Sequence, residues 1–555
     1  KGTDLPFVKQ ELSKLSRRAI DDEVLGKPPT RQEVSETIDS LKGGKANLGV
    51  SAEVMQAVTL WDPDYKTAIH DLLARHINPQ SDDDIVEELN DVRMTAIPKT
   101  AGAKTTKKYR WICVCHIMQK IMDKIFVKRL LPYILEIITS QQCGFIKGRE
   151  GLDVSMMINR IVGMRKAQGE HTYILFMDAI GAFPRMSREV MMESLVAFGF
   201  EPNAMKWISA MYRHTQVTAG VNTGEVILEA IAGGIQGAVA TPLLYIITKF
   251  MCDKAFRNTY PQHNQLIVRT TSGPNFVSPA TPNNTTTNST SSSSTSSSTS
   301  STSSNSGNNS GSNTGHTEIR INSPVYADDE AAICTQTRPG LVALANDTYW
   351  FYSKFGIQIH KDGTKSWILL VPGNGQNYDD FDTSDIPIQD DPDNGYFGFL
   401  KQNKAACIKK TDKYTLDHIG IRFDTTHGFG IDRDNKLGRA KKEWNRGKIL
   451  LENTALWDGI DQQAQVQEKM KWYKELVIPK LIQGSEIWPK NLLPKIINFH
   501  NECIKTICGH TDQSMEEDKL TQEDLQQYCG DKDMESYLHI RLLQWVGRTV
   551  QKQNL

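Results

Sequence analysis

Residues 270 to 317 are dominated by Ser, Thr, Asn and Gly. A run of that composition cannot bury enough apolar surface to offset the entropy lost on ordering it. It is therefore expected to be a disordered surface insertion, 266–318 at its widest. Any fold open to this chain must join the two segments that flank the run. Before it lies a long apolar helical stretch, Leu243 to Phe256; after it comes Ser323-Pro-Val-Tyr-Ala-Asp-Asp-Glu-Ala-Ala-Ile-Cys334. The Asn-x-Thr triplets inside the run are glycan acceptors only in a secreted protein, and nothing else in the sequence points to secretion.

Within the second of these flanks, Tyr326-Ala327-Asp328-Asp329 reads as the tight turn of a β-hairpin whose strands are small and apolar. Two adjacent carboxylates in such a turn need a counterion. An exposed acidic turn is the plain alternative. A hard divalent cation such as Mg²⁺, bound between this turn and a carboxylate elsewhere, accounts for the pair more fully. The natural partner is Asp178, delivered at the C-terminal end of the apolar strand Thr172-Tyr-Ile-Leu-Phe-Met177.

Composition excludes several classes. At 39% hydrophobic and 23% charged residues the mix is that of a globular protein, and 555 residues suffice for two or three domains or one large body. No apolar run reaches the roughly 18 residues a membrane helix needs. The opening Lys-Gly-Thr-Asp-Leu-Pro is no signal peptide. The chain is expected to be soluble, intracellular and, without an initiating Met, a fragment. Its nine cysteines include no Cys-x-x-Cys, which suits a reducing compartment. Cys503, Cys508 and His510 are conceivable zinc ligands, but their apolar surroundings favour buried thiols on a helix.

The net charge of −1 argues against indiscriminate nucleic-acid binding. Its distribution is uneven. Lys99, Lys104, Lys107, Lys108, Arg110, Lys120, Lys124, Lys128 and Arg129 stand against Asp123 alone, a local basic field. A second cluster, Arg433 to Lys448, is partly balanced by Asp432, Asp434 and Glu443, and the acidic stretch Asp379 to Asp393 reads as a solvated loop.

Taken in order, residues 1 to 95 read as helical. Thr30-Arg-Gln-Glu33 is a capping box, and Val54, Met55, Val58 and Leu60, then Ile69, Leu72, Leu73 and Ile77, form core stripes. Thr95 to Lys99 and Tyr109 to Val114 read as a hairpin with Lys99 and Arg110 near its base. A helix from His116 to Leu131 comes next, with Ile117, Ile121, Ile125 and Phe126 on its apolar face. Gln141 to Arg149 is a loop into the helix Leu152 to Lys166. After Asp178, Ala179-Ile-Gly-Ala-Phe183 leads to the helix Ser187 to Phe198. Strands Gln216 to Val221 and Glu225 to Ile231 precede Gly233-Gly-Ile-Gln-Gly237, a turn that opens the long helix. Glycines there allow close backbone approach, and Gln236 can hydrogen-bond a base, sugar or template strand. Beyond Cys334 come a helix (Leu341 to Phe355), a turn placing Lys365 before an apolar strand, and a strand from Asp417 to Arg422. Helix is expected from Leu437 to about Cys508, a loop from Ser514 to Asp524 and a last helix from Met534 to Val550.

Asp178, Asp328 and Asp329, with Gln236-Gly237 between them and Lys99, Arg110 and Lys365 as cations, fit nucleotidyl transfer. That chemistry uses two divalent ions about 3.5–4 Å apart, one activating a 3′-hydroxyl and one neutralising the triphosphate. Here the chain resembles the reverse transcriptase domain of non-LTR (LINE-type) retrotransposons, colinearly from about Glu33 to His510. The resemblance rests on Ile97-Pro-Lys99, Tyr109-Arg110, Gln142-Cys-Gly-Phe-Ile-Lys-Gly-Arg149, Met177-Asp178 to Ala182-Phe183, Gly234-Ile-Gln-Gly237 to Thr241-Pro242, Tyr326 to Asp329, and Ile419-Gly420. Val477-Ile-Pro-Lys-Leu-Ile-Gln-Gly-Ser-Glu-Ile-Trp488 suits the LINE branch over group II intron or telomerase relatives.

The resemblance implies an α+β right-hand polymerase with fingers, a palm built on an antiparallel sheet, and a helical thumb. The corresponding boundaries are 1–95 (helical N-terminal extension and fingers), 96–265 (fingers and first part of the palm), 266–318 (insertion), 319–430 (rest of the palm) and 431–555 (thumb and C-terminal helices). It implies two Mg²⁺ ions, with Mn²⁺ as a substitute, held by Asp178, Asp328 and Asp329. Lys365 would protonate the pyrophosphate leaving group. Phe183 would be the steric gate that selects dNTPs, and Lys99, Arg110, Ala179, Gln236, Gly237 and Tyr326 would contact substrate. Implied partners are an RNA template, a DNA primer or target and dNTPs, with no membrane. The implied setting is the nucleus or a cytoplasmic ribonucleoprotein. The sequence departs from the family at Pro184, Trp111, Lys45-Ala-Asn-Leu-Gly49 and His418, none of them a metal ligand. A catalytically silent nucleic-acid-binding scaffold is the rival reading.

Overall fold

The computed structural model describes residues 3–553 apart from 100–101, 103, 106–107, 140–141, 222–223, 231, 265–266, 272–315, 321–324, 328, 335–336, 362–364, 390–396, 401–406, 409–412, 419–420, 425–427, 452 and 454–455. The body of the low-complexity run and Asp328 therefore lie outside the described residues.

Helices α1 to α5 (Leu5–Ser13, Asp22–Leu25, Arg31–Asp39, Ala52–Trp61, Asp64–Ile77) open the chain. The capping box forms: Thr30 Oγ1 accepts the Glu33 N–H at 3.2 Å, and Glu33 Oε2 accepts the Thr30 N–H at 2.8 Å. In α5, Ile69, Leu73 and Ile77 are buried. In α4 the expected stripe is half wrong, because Met55 is buried while Val54 and Leu60 are 49% and 84% exposed. A short helix can turn only one face to the body, and here that face carries Ala52, Met55 and Thr59.

Two four-stranded sheets come after these helices. β1 (Val92–Pro98) starts three residues earlier than expected and pairs antiparallel with β2 (Tyr109–Cys115). After α6 (Ile117–Ile137), α7 (Gly151–Ala167), β3 (Thr172–Met177), α8 (Arg188–Phe198) and α9 (Pro202–Tyr212) come β4 (Gln216–Val221) and β5 (Gly224–Glu229). The first sheet has the order β2-β1-β4-β5. Helix α9, unexpected from the sequence, places Trp207, fully buried, against Phe126 of α6. Helix α10 (Thr241–Thr259) is buried along most of its length.

The stems of the low-complexity run, β6 (Ile267–Thr271) and β7 (His316–Arg320), pair antiparallel, so the chain leaves and re-enters at one place. The ends of the run thus carry strand rather than the expected disorder. β8 (Val325–Tyr326) and β9 (Asp329–Cys334) form the acidic hairpin; α11 (Arg338–Lys354) and β10 (Trp367–Val371) complete this part. The second sheet has the order β10-β3-β9-β8. Every residue of β3 is buried, as expected of an inner strand covered on both faces.

The strand expected at Asp417 to Arg422 is instead split between Lys413–His418 and Ile421–Asp424, which pair antiparallel. A second apolar core, Leu437 to Leu538, is built by α12 (Gly430–Leu451), α13 (Gln462–Leu476), α14 (Ile478–Ile482), α15 (Pro494–Cys508), α16 (Asp512–Glu517), α17 (Gln522–Cys529) and α18 (Met534–Gln553). The loop expected over Ser514 to Asp524 is in fact two helices, started by capping boxes at Thr511 and Thr521. Cys503 and Cys508 are buried there, with Cys508 Sγ 3.0 Å from Cys529 Sγ, while His510 Nδ1 lies 3.3 Å from Ser514 Oγ. This is the buried-thiol arrangement, not a zinc site. The Gln483-to-Trp488 motif proves to be a staple. Gln483 Oε1 accepts from the buried Lys436 at 3.0 Å, the Trp488 indole donates to Asp432 Oδ2 at 3.0 Å, and Glu486 pairs with Arg541. It ties α12 to α18.

The buried Asp123 joins the two halves of the first core. Its Oδ2 accepts the N–H groups of Val239 (2.8 Å) and Ala240 (3.1 Å) at the start of α10, satisfying donors a helix start leaves open. Burial pushes its carboxyl up to about 6, against the lowering effect of those two hydrogen bonds. Because the folded pKa is raised, the native state holds a proton that the unfolded chain has released, and stability falls as pH rises from about 4 to 6. Asp123→Asn is expected to flatten that fall. Urea unfolding at several pH values checks it, and equal slopes in both proteins would refute it.

Candidate active site

The register of the second sheet brings the acidic residues together. β3 and β9 are antiparallel with Met177 opposite Glu330. That pair ends the ladder: Asp178 follows Met177 and Asp329 precedes Glu330, so both carboxylates flank the last pair, and Asp329 itself pairs with Tyr326 across the hairpin. Strand pairing therefore converges two carboxylates about 150 residues apart. Asp178 is half-buried and held on both sides: its N–H donates to the buried Ser366 Oγ at 3.1 Å, and its carbonyl accepts from the His360 N–H at 3.0 Å. Its Oδ2 lies 2.9 Å from Lys365 Nζ. This carboxylate thus already carries a cationic partner, and hard oxygen donors of this kind suit a hard divalent ion. Among the described residues, which do not include Asp328, no three His, Cys, Asp or Glu side chains form a ready metal cluster.

Phe183 is half-buried. Its ring meets Phe145 at 5.9 Å and Tyr245 of α10 at 5.3 Å, and its carbonyl accepts from the Gly234 N–H at 2.8 Å. Gly233 (φ +84°) packs on Pro184, where a Cβ would come within 2.7 Å of the Pro184 carbonyl oxygen. Gln236 and Gly237 ride on β2. The Gln236 carbonyl accepts from the Cys113 N–H at 2.7 Å. A Cβ at Gly237 (φ +134°) would stand 2.2 Å from the Cys113 carbonyl oxygen, so only glycine fits. Ala179 is buried and bridges to Ile359.

Arg110 faces Ile97 across the β1–β2 hairpin and is exposed, as is Lys99, whose N–H donates to the Lys108 carbonyl at 2.8 Å. The basic field is smaller than its sequence suggests. Lys120 binds Ala46 and Asn47, Lys124 reaches Ser40, Lys128 pairs with Glu36 at 2.8 Å, and Arg129 grips Glu33. Those α6 cations anchor the N-terminal helices instead of facing a polyanion. Burial raises the Glu33 carboxyl, but the Arg129 fork and the Thr30 bonds outweigh it and hold the group at about 2.

Two supports of the hairpin escaped the sequence reading. Behind β9, the fully buried Lys249 of α10 contacts Glu330 Oε2 (2.7 Å), Asp253 Oδ1 (2.5 Å) and the Tyr352 hydroxyl (3.1 Å). The signal was a Lys and an Asp four residues apart within the buried, largely apolar stretch of this helix. In front of the turn, the Gln142 carboxamide contacts the Ala327 backbone. No periodicity announces that.

Residues 97–269 match the family model described as "Reverse transcriptase (RNA-dependent DNA polymerase)". The match includes Lys99, Arg110, Asp178, Phe183, Gln236 and Gly237 and stops where the low-complexity run begins. The chain is also 24% identical over 162 residues to the "Transposon TX1 uncharacterized 149 kDa protein" of Xenopus laevis, covering 29% of this chain and 12% of that relative. Among the described residues no helix is long and apolar enough to cross a membrane. The chain therefore carries, over residues 97–269, a domain of the reverse transcriptase (RNA-dependent DNA polymerase) family.

Proposed function

We propose that this chain is the RNA-directed DNA polymerase of a non-LTR, LINE-type retrotransposon, with the right-hand architecture of fingers, palm and helical thumb. The observation that supports this is the β3–β9 register, whose last pair, Met177 with Glu330, is flanked by Asp178 and Asp329, together with the Lys365–Asp178 contact at 2.9 Å. Asp178, Asp328 and Asp329 would hold a pair of Mg²⁺ or Mn²⁺ ions, which when bound activate the primer 3′-hydroxyl and neutralise the triphosphate. Lys365 would give a proton to the leaving pyrophosphate. Arg110 and Lys99 offer donors to the triphosphate, Arg as a planar fork. Gln236, Gly237, Ala179 and Tyr326 would contact the nucleotide and template. An RNA template, a DNA primer or target and dNTPs are the partners, met in the nucleus or in a cytoplasmic ribonucleoprotein.

Primer extension on an RNA template by the purified protein tests the reading. Template-directed dNTP incorporation that requires Mg²⁺ supports it, and its absence at every Mg²⁺ and Mn²⁺ concentration would sink it. The rival, a silent nucleic-acid-binding scaffold, draws on the Lys365–Asp178 ion pair, which engages an oxygen that a metal would use. Salt-sensitive RNA binding with no synthesis would decide for that rival.

Phe183 supplies a sharper prediction. An aromatic ring held between Phe145 and Tyr245 leaves little room for a 2′-hydroxyl. Phe183→Val is expected to lower dNTP-over-rNTP discrimination on the order of 100-fold, the scale one steric contact provides. An unchanged incorporation ratio would remove Phe183 from the gate.

A further inference from the structure

The turn that presents the aspartate pair is held in a conformation its own residues disfavour. Ala327, immediately before Asp328, has φ +59°, in the left-handed region that L side chains seldom adopt. A side chain from a distant loop meets both of its backbone groups. Gln142 Oε1 accepts the Ala327 N–H at 2.9 Å, and Gln142 Nε2 donates to the Ala327 carbonyl at 3.3 Å. The same Oε1 accepts the Gly144 N–H at 2.8 Å. Two N–H donors converging on one atom determine which end of the carboxamide is oxygen.

The backbone around Gln142 is locked in turn. The Cys143 N–H donates to the Val325 carbonyl at 2.9 Å, one residue pair before the turn. Arg149 donates to the carbonyls of Gln142 (2.8 Å) and Thr139 (2.7 Å), closing the loop on itself. Gly144 lies against the turn so closely that a Cβ would come within 2.2 Å of the Ala327 nitrogen. Gln142 is only 5% exposed, and no substrate group needs to reach it.

From this geometry we infer that Gln142 is a positioning residue for the acidic turn: its carboxamide clamps Ala327 in the left-handed conformation and thereby sets the path of the chain from the turn into Asp329. The inference rests on the polymerase reading for its effect on activity, but the clamp itself is a property of the fold. Buried polar contacts of this kind are costly to leave half made, so the turn is expected to relax when the carboxamide is removed. Glycine adopts positive φ freely, so it would hold the turn with less need of the clamp.

The test uses the 555-residue chain as wild type, Gln142→Ala and Gln142→Ala/Ala327→Gly. Two readouts are taken: hydrogen exchange at the Ala327 amide, and kcat and KM for dTTP on a poly(rA)·oligo(dT) template with Mg²⁺. In Gln142→Ala the Ala327 amide is expected to lose protection and kcat to fall about 100-fold, the scale of a small misplacement of reacting groups, with KM within about twofold. Ala327→Gly is expected to restore kcat about tenfold in that background. Wild-type exchange in Gln142→Ala overturns the clamp. So does a loss of kcat that Ala327→Gly leaves untouched. Should the wild-type protein incorporate no nucleotide, the polymerase reading fails, and the exchange measurement alone still decides the clamp.

Discussion

Asp178→Asn is expected to reduce dNTP incorporation by at least about a thousandfold, equivalent to about 4 kcal/mol of transition-state stabilisation. The change removes charge but almost no volume. It also leaves the backbone contacts to Ser366 and His360, which fix the strand end, in place. Folding stability should hardly move. Among the described residues the ion pair lost is the one with Lys365, whose side chain is 60% exposed, and pairs screened by water contribute little. Activity and stability therefore separate at this position. If the carboxylate holds a divalent ion, Mg²⁺ should raise the wild-type Tm by mass action and leave that of Asp178→Asn unchanged. Incorporation at wild-type rate in the variant would remove Asp178 from the chemistry. An Mg²⁺-dependent rise in its Tm equal to the wild-type rise would place the ion elsewhere.

Lys249→Met separates the two quantities in the opposite sense, by striking the fold first. Lys249 is enclosed between the carboxylates of Asp253 and Glu330 and lies 4.5 Å from the Tyr352 ring centroid. Burial alone would push the ammonium toward neutrality. The two carboxylates more than offset it, so the group is held well above its ordinary value and stays charged. Removing the ammonium strands two carboxylates that share one proton donor, the Tyr352 hydroxyl, which lies 2.6 Å from Asp253 Oδ1 and 2.9 Å from Glu330 Oε2 and can donate to one of them at a time. Breaking a buried ion pair from one side costs about 3–5 kcal/mol. Chemical denaturation should show that loss. Lys249→Met/Asp253→Asn/Glu330→Gln should recover much of it, because no uncompensated charge remains. A loss below about 1 kcal/mol in the single variant, the size of a surface pair, would show that the cluster is hydrated. Glu330 is the residue directly after Asp329, so the same variant should also slow incorporation.

Both predictions act on the acidic hairpin, and its history in the sequence differs from that of its supports. The strands were legible. Thr172 to Met177 is an unbroken apolar run ending in a carboxylate, and the Asp pair interrupts a small, apolar hairpin, patterns that depend on near neighbours in the chain. The start of the helix at Ile117 and its buried face of Ile117, Ile121, Ile125 and Phe126 were equally plain, although the helix runs on to Ile137, six residues past the expected end at Leu131. Where local pattern misled, tertiary contact was the reason. Val54 and Leu60 read as part of a core stripe, yet they are 49% and 84% exposed. The lysines of α6 look like a field for a polyanion, yet they meet Glu36, Ser40, Ala46 and Asn47 of segments about 80 residues earlier. The capped helices after Thr511 and Thr521 were hidden by an acidic composition that usually marks loops.

Sequence alone thus determined which residues are chemically equipped, because a carboxylate at a strand end, a glycine beside a glutamine and an aromatic after a turn are local facts. It also determined that the chain must bridge a run unable to fold. Only the tertiary structure decided that Asp178 and Asp329 flank one strand pair, that Gln142 grips Ala327, and that Lys249 lies beneath Glu330. Those contacts span from 81 to 185 positions along the chain. Their existence depends on strand register and helix packing, which are set by the burial of the whole core and leave no periodic trace near the residues concerned.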